Sequence, residues 1–484
     1  MAIVRRKPLT ARIGTYAVGL DVYWAQFPGL LDELLGWHGD FIGQVRAHQV
    51  EVVDFGMVDN ASKAHAVLPL LKAAHLDLLF VDMVTYATSA TFGVIARTLD
   101  IPIVLVALQP RRCMDYDRAN TYMQLCNDNI CAMPEFCNTM VRMGRKSPPT
   151  IIGVLYDDAQ AQAEIARWVR VARVLHDLKR ARIGHFGHPL EAMYDMHTDQ
   201  TALTATFGLH VVQTEIDDLA RLERQVSEAA IDAKSQEILA MFDTPTPECD
   251  PHTVQLTAVD LRNAAKGAVA LDQFIAEAGL DGLAYYYKGE NGSDTQRLAS
   301  SLIVGNSLLC AAGFPMCGES DLKTCVAMMI MDRLDIGGSF AEFHPVDFER
   351  NSVLVGHDGP HHIRIADGKP VIRSLKQYHG KPGSGASVEF QIAAGPITML
   401  GLTSKADGSF KFVIAEGESR RGKIPATGNT NTHGHFGPCI RTFLSRWFAE
   451  GPTHHFALGV GHHAADLRLI GEVLNLETVI VSGA

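Results

Sequence analysis

Two glutamates and several histidines sit where the chain enters or leaves an apolar run, and their types could together hold a divalent cation. Glu319 lies in GFPMCGESDLKT, residues 313 to 324, ahead of the apolar LKTCVAMMIMDRL. Ser320 and Asp321 are N-cap types, so a helix is expected to start there with Glu319 at its mouth. Alone, such a glutamate is ordinarily a helix-entry carboxylate favoured by the macrodipole. The next segment, DIGGSFAEFHPVDFERNSVLVGHDGPHH, adds Glu342 after a GG turn and His357 at the end of the strand-like SVLVG. FALGVGHHAAD then sets His462 and His463 at another strand end ahead of a helix. Adjacent side chains diverge in regular structure, so one of that pair is expected to reach a shared point. His361, His362, His433, His435, His454 and His455 compete for the same role. A mixed carboxylate and imidazole set suits Mn²⁺, Co²⁺ or Mg²⁺ better than a closed structural zinc site. The Cys and Met residues behind Glu319 read as core packing.

The elements that must position these residues fall into three stretches. In the first third, short apolar runs (RIGTYAVGL, VEVVDFG, LDLLFVDM, IPIVLVAL) alternate with helix-length amphipathic segments. That alternation predicts a parallel sheet covered on both faces, with its ligand crevice at the carboxyl ends of the strands. No GxGxxG follows a strand there, which argues against a dinucleotide cofactor. A second alternation runs from TIIGVLYDD through ARIGHFGH and FGLHVVQTEI to DGLAYYYKG, with helices expected over roughly 217–242 and 254–278 and a Pro-rich break, TPTPECDPHT, between them. Beyond about residue 335 short strands are joined by Gly, Asp and Lys turns. The expected fold is therefore two doubly wound, Rossmann-like α/β domains, residues 1–178 and 179–330, followed by a mostly β domain, 331–484.

Composition bounds the function. A chain of 484 residues with 47% hydrophobic and 20% charged content is globular and long enough for several cores. A formal charge of -11 without a basic stripe argues against nucleic acid. No run of 18 or more apolar residues and no signal-peptide pattern is read, and nine cysteines without CxxC suit a reducing compartment. A cytoplasmic protein without membrane or nucleic-acid partners is expected.

The order GFPMCGESDLKT, GGSFAEFHPVDFE, VLVGH and GVGHH resembles the pattern GYGF-x-GEGDWKT, GGTSFMEDYTYHFE, LVLGSH and GGAHH of bacterial L-arabinose isomerases. AAGPITMLGLTS resembles another strand of that family. The likeness spans nearly the whole chain, is clearest from about residue 310, and points to the L-fucose/L-arabinose isomerase superfamily. It implies that Glu319, Glu342, His357 and His463 hold a catalytic Mn²⁺, with Co²⁺ or Mg²⁺ as alternatives, and that Glu319 and Glu342 are the acid/base pair. His462, Tyr287, Met193 and Gln26 would face the substrate. A sugar substrate and a homo-oligomer, hexameric or built from trimers with active sites at subunit interfaces, are implied as well.

Several positions depart from that pattern. Leu322 replaces the tryptophan of GEGDWKT, EFHPVD replaces the aromatic EDYTYH, VALQPRR puts Leu108 and Gln109 at expected polar contacts, and NTNTHGHFG has no counterpart. The ligand set reads as kept and the pocket wall as changed. The implied activity is aldose–ketose isomerisation of an unmodified pentose, hexose or deoxyhexose through an enediol. The alternatives are a metal-dependent epimerase, an isomerase of a modified sugar, and a non-catalytic sugar-binding protein.

Overall fold

The four apolar runs of the first third form the parallel strands β1 (Arg12–Val18), β2 (Glu51–Val58), β3 (Leu78–Asp82) and β4 (Ile103–Gln109). TIIGVLYDD, expected to open the second alternation, instead adds a fifth strand, β5 (Thr150–Val154), to the same sheet by pairing parallel to β4. The computed structural model describes residues 3–189, 193–246, 252–378, 381–427 and 429–483. The strands pair in the order β2-β1-β3-β4-β5. Every residue of β3 is buried, as a central strand covered on both faces requires. These strands belong to a compact unit of residues 9–176. The order reverses between β1 and β3, the point at which a doubly wound sheet opens a crevice.

Near that reversal, His38 from the helix Leu30–Arg46 sets Nδ1 2.7 Å from Asp82 Oδ2 and Nε2 3.1 Å from Asp54 Oδ1. Burial pushes the imidazole down, but hydrogen bonds and charge from Asp54 and Asp82 outweigh it and raise its pKa to about 9. Burial raises the Asp82 carboxyl against the pull of the same ring, and Asp54, despite its own partial burial, is held low by that ring and by the Gly56 N–H. A folded pKa above the unfolded value of about 6.5 means that folding favours the charged ring. Its stabilisation is complete below about pH 6.5 and is lost as pH rises through about 9. Thermal unfolding of this unit, followed by hydrogen exchange in β1 and β3, is expected at lower temperature at pH 9.5 than at pH 6. His38→Gln should flatten that dependence; an unaltered slope would show that His38 carries no linked proton.

The second unit comprises residues 1–8 and 177–484. Its strands are β6 (Arg182–Phe186), β7 (His210–Thr214), β8 (Thr253–Val254), β9 (Gly282–Tyr285), β10 (Met316–Cys317), β11 (Gly337–Asp347), β12 (Ser352–His357), β13 (Val371–Tyr378), β14 (Lys381–Glu389), β15 (Gly395–Ser404), β16 (Phe410–Arg420), β17 (Thr430–His435), β18 (Phe456–Val460) and β19 (Glu477–Val481). Four of them make a parallel sheet, β10-β9-β6-β7. The helices Ile216–Gln225, Glu228–Met241 and Ala258–Ala278 fill the predicted helical stretches, and the Pro-rich break falls partly outside the described residues.

The Gly- and Asp-punctuated final third closes on itself. The strands β15-β18-β11-β12-β17-β16 pair as antiparallel neighbours, and β16 pairs back onto β15, so the six form a barrel. Closure removes the exposed edges that an open sheet would present. The last strand, β19, adds parallel to β16 outside the ring, and β14-β13-β8 form a smaller separate sheet. Two parallel α/β sheets followed by an antiparallel β region is the fold class the sequence predicts; barrel closure is what it does not show. Among the described residues, no helix is long and apolar enough to cross a membrane.

Candidate metal centre

Glu319 leaves the carboxyl end of β10 in a single tight turn, Gly318–Ser320, before the helix Leu322–Arg333. The helix cap is Asp321, whose side chain accepts from the backbone N–H groups of Lys323 and Thr324 at 3.1 and 3.2 Å. Glu319 therefore precedes the helix and is not part of its first turn. Its φ is +59° and that of Ser320 is +57°, two consecutive left-handed residues that are not glycine. Each such residue costs of order 1–3 kcal/mol and persists only where the surroundings hold it, a pattern typical of functional sites. Ser320 contributes to the hold by donating its hydroxyl to Phe186 O at 2.8 Å. Gly318 must lack a side chain, because a Cβ there would stand 2.9 Å from the Phe340 ring.

The barrel supplies the other groups. Glu342 lies within β11, not in a turn after the paired glycines, and its register partner on β12 is Gly356, next to His357. On its other side β11 pairs Ala341 with Phe456, so one further step of that register brings His455 beside Glu342. Gly356 allows the strands to pack this closely, since a Cβ there would fall 1.8 Å from Thr430 O. Phe340 packs against both imidazoles at tilted angles, with ring centroids 4.2 Å from His357 and 4.4 Å from His455.

The donor atoms converge. His455 Nε2 lies 3.8 Å from Glu319 Oε2, and His357 Nε2 lies 3.8 Å from Glu342 Oε1. The donor atoms of Glu342, His357 and His455 all lie within 4.8 Å of one another, as do those of Glu319, His454 and His455. Glu319 Oε2 and His455 Nε2 are buried and accept or donate no hydrogen bond. Buried polar atoms are rarely left so. Ligands at about 2.0–2.2 Å from a divalent ion stand roughly 3–4.4 Å apart, so the residues present fit such an ion.

Carboxylates behind the imidazoles orient them. His455 Nδ1 faces Asp321 Oδ2 at 3.2 Å, and His454 Nδ1 faces Asp195 Oδ2 at 2.6 Å. His357 Nδ1 lies 3.0 Å from Asp358 Oδ1. A proton on Nδ1 of His455 and of His454 leaves the Nε2 lone pair for a ligand, the usual arrangement behind metal-bound histidines, whereas His357 Nδ1 accepts the Asp358 backbone N–H at 2.9 Å. Burial pushes the Asp321 carboxyl up, but Lys323, His455 and the Thr324 hydroxyl bring it down to about 2. Burial also opposes a charge on His357, yet Asp358, Glu342 and Glu319 raise its pKa to about 9. Burial pushes the His455 pKa down, and the charge of His357 and His454 adds to this against the opposing hydrogen bond to Asp321.

A cavity opens onto this cluster, lined by Glu319, Glu342, His357 and His454 and walled by Met193, Tyr287, Ile303 and Phe340. Of the residues expected to form the site, the structure brings together Glu319, Glu342, His357, Met193 and Tyr287. It does not bring His463 or His462. His463 Nδ1 lies 3.1 Å from Asp466 Oδ2, and His462 Nε2 lies 3.2 Å from Gly417 O. Both follow the far end of β18, whereas His455 immediately precedes its start. A strand rises about 3.3 Å per residue, so the five residues of β18 put roughly 16 Å between the two ends. Gln26 ends the short helix Val22–Gln26 in the other unit. Sequence reasoning counted His454 and His455 only among the competing histidines and missed Asp195, Lys323 and Asp358. The HH pair opening an apolar strand was the available signal.

Comparison with known proteins agrees with this architecture. Residues 40–179 match the N-terminal domain of fucose/sulfoquinovose isomerases, and residues 182–337 match the central domain of L-arabinose isomerases. An L-arabinose isomerase of Pectobacterium atrosepticum is 22% identical over 351 residues, covering 70% of this chain and 67% of that protein. One from Shigella dysenteriae is 21% identical over 394 residues, covering 79% and 76%. One from Klebsiella pneumoniae is 22% identical over the same length and shares. Glu319 falls within the matched central domain, while Glu342, His357 and His455 lie beyond both matched spans, so their grouping rests on the geometry. Two family domains in succession, with distant relatives along most of the chain, establish that this protein belongs to the L-fucose/L-arabinose isomerase superfamily.

Proposed function

We propose that the protein is a divalent-metal-dependent aldose–ketose isomerase working through an enediol, with Glu319, Glu342, His357 and His455 as the ion's ligands and Mn²⁺ as the ion. The observation that carries the reading is a pair of buried atoms without a hydrogen bond, Glu319 Oε2 and His455 Nε2, 3.8 Å apart, with Glu342 and His357 grouped around the same His455 imidazole. When bound, the ion would supply Lewis-acid stabilisation of the negative charge that develops on the sugar oxygens. The protein's own groups do the rest. Isomerisation moves a proton between C2 and C1, and the two glutamates, entering the cavity from the central sheet and from the barrel, are placed to remove it and return it. A positioned acid/base group contributes roughly 10²–10⁴-fold. Met193, Ile303, Tyr287 and Phe340 supply an apolar wall that limits water around the reacting carbons. His454, held by Asp195, faces the cavity as a sugar contact. Completion of the cavity by a neighbouring subunit belongs to the same proposal.

The test is ketose formation across aldopentoses, aldohexoses and 6-deoxyhexoses, using chelated protein with and without added Mn²⁺. Turnover of a sugar only when the ion is restored is the expected result. Tight ion binding with no turnover of any sugar would move the substrate to a modified sugar or the reaction to epimerisation. Sugar binding without an ion requirement would leave a binding protein.

A further inference from the structure

We infer that Lys323 is a positioning residue for this centre: its buried ammonium ties together the Asp321–His455 and Asp195–His454 contacts that aim the paired imidazoles. The inference rests on the metal-dependent reading above. Lys323 is completely buried and is among the largest fully buried side chains of the protein. A buried ammonium is costly unless its charge and protons are matched, and an apolar residue of similar volume is the cheaper occupant of a core. What matches it here is a junction of two segments of the site, the turn at Tyr194–Met196 and the helix cap at Asp321. Nζ donates to Met196 O at 2.9 Å and to His197 O at 3.5 Å, and lies 3.9 Å from Asp321 Oδ1.

Each arm of the junction ends on an imidazole. Asp321 Oδ2 accepts from Thr324 Oγ1 at 2.8 Å and faces His455 Nδ1, so displacing this carboxylate turns the His455 ring. On the other arm, the carbonyls gripped by Lys323 follow directly after Asp195. That carboxylate accepts from the His454 backbone N–H at 2.9 Å and faces its Nδ1. The same short segment begins with Met193, which lines the cavity. The two rings stand 3.9 Å apart, so a shift of either arm is felt by both. Lys323 itself does not line the cavity, so its effect on an ion must pass through these contacts.

The experiment is Mn²⁺ titration of chelated full-length protein, read from the free-ion EPR signal, together with thermal unfolding. Lys323→Met keeps the stem and removes the ammonium. Its Mn²⁺ Kd is expected to rise by about tenfold or more, as for other partners behind metal ligands. The double variant Lys323→Met/Asp321→Asn should bind more weakly than Asp321→Asn alone but by less than the product of the two single losses, because one of the two arms is shared. Met329→Ala opens a cavity at another fully buried position of the same helix and should lower stability while leaving Kd within about twofold. An unchanged Kd in Lys323→Met, or an equal weakening in Met329→Ala, would overturn the positioning role. If Lys323→Met does not fold, Asp195→Asn tests the other arm from a more accessible position, with a several-fold weaker Kd expected and an unchanged Kd fatal to the inference. Wild-type protein that binds no Mn²⁺ would instead refute the metal-dependent reading, and the inference with it.

Discussion

Glu319→Gln should fold with an unchanged thermal midpoint and lose turnover by roughly 10³-fold or more. The amide keeps the volume and the left-handed backbone of the turn, so the packing of Gly318 against Phe340 and the Ser320 contact to Phe186 are untouched. What it removes is a negative oxygen at a buried point where no hydrogen bond is lost. The variant therefore separates chemistry from architecture more cleanly than a truncation, which would leave a cavity. Steady-state rates on the substrate found by the sugar panel, with Mn²⁺ affinity measured on the same samples, make the comparison. A variant retaining activity within about tenfold of wild type would remove Glu319 from the acid/base pair, since such groups contribute at least roughly 10²-fold.

The second large effect distinguishes two histidine pairs. His455→Gln is expected to weaken Mn²⁺ by about 10²-fold or more, because even partners behind a ligand cost roughly 10–100-fold. His463→Gln should leave Mn²⁺ affinity unchanged, since that ring already pairs with Asp466 beyond the opposite end of β18. Isothermal titration of both chelated variants beside wild type is the measurement. Loss of affinity in the His463 variant and not in the His455 variant would restore the expectation read from the GVGHH motif. The pairing that argues against that outcome is the register of β11, which brings Glu342 alongside both His357 and His455.

The sequence by itself determined the order of architectures, and with the family resemblance it named three of the residues that the structure groups, Glu319, Glu342 and His357. Alternating apolar runs and amphipathic segments bury their faces as parallel layers covered by helices, and short strands joined by tight Gly/Asp turns pair most readily as antiparallel neighbours. Glu319 stood out because a carboxylate, a cap residue and an apolar helix follow one another locally, and the resemblance to GEGDWKT implied its role as a ligand. His357 was legible because it ends its strand. Glu342 joins the cluster from inside β11 and not from a loop. The histidine of the last apolar strand was not legible, because its position depends on stagger. The strands β12 and β18 both run antiparallel to β11, but β12 lies beside its second half and β18 beside its first. The start of β18 therefore stands level with the end of β12, and His455 meets His357 while His463 is carried to the other end of the barrel. Stagger follows from strand tilt and barrel closure, which are properties of the whole ring and leave no mark on any single strand. The buried Lys323 junction escaped for the same reason: its partners at 195–197 lie far from it along the chain and meet it only after the central sheet and its helices have packed.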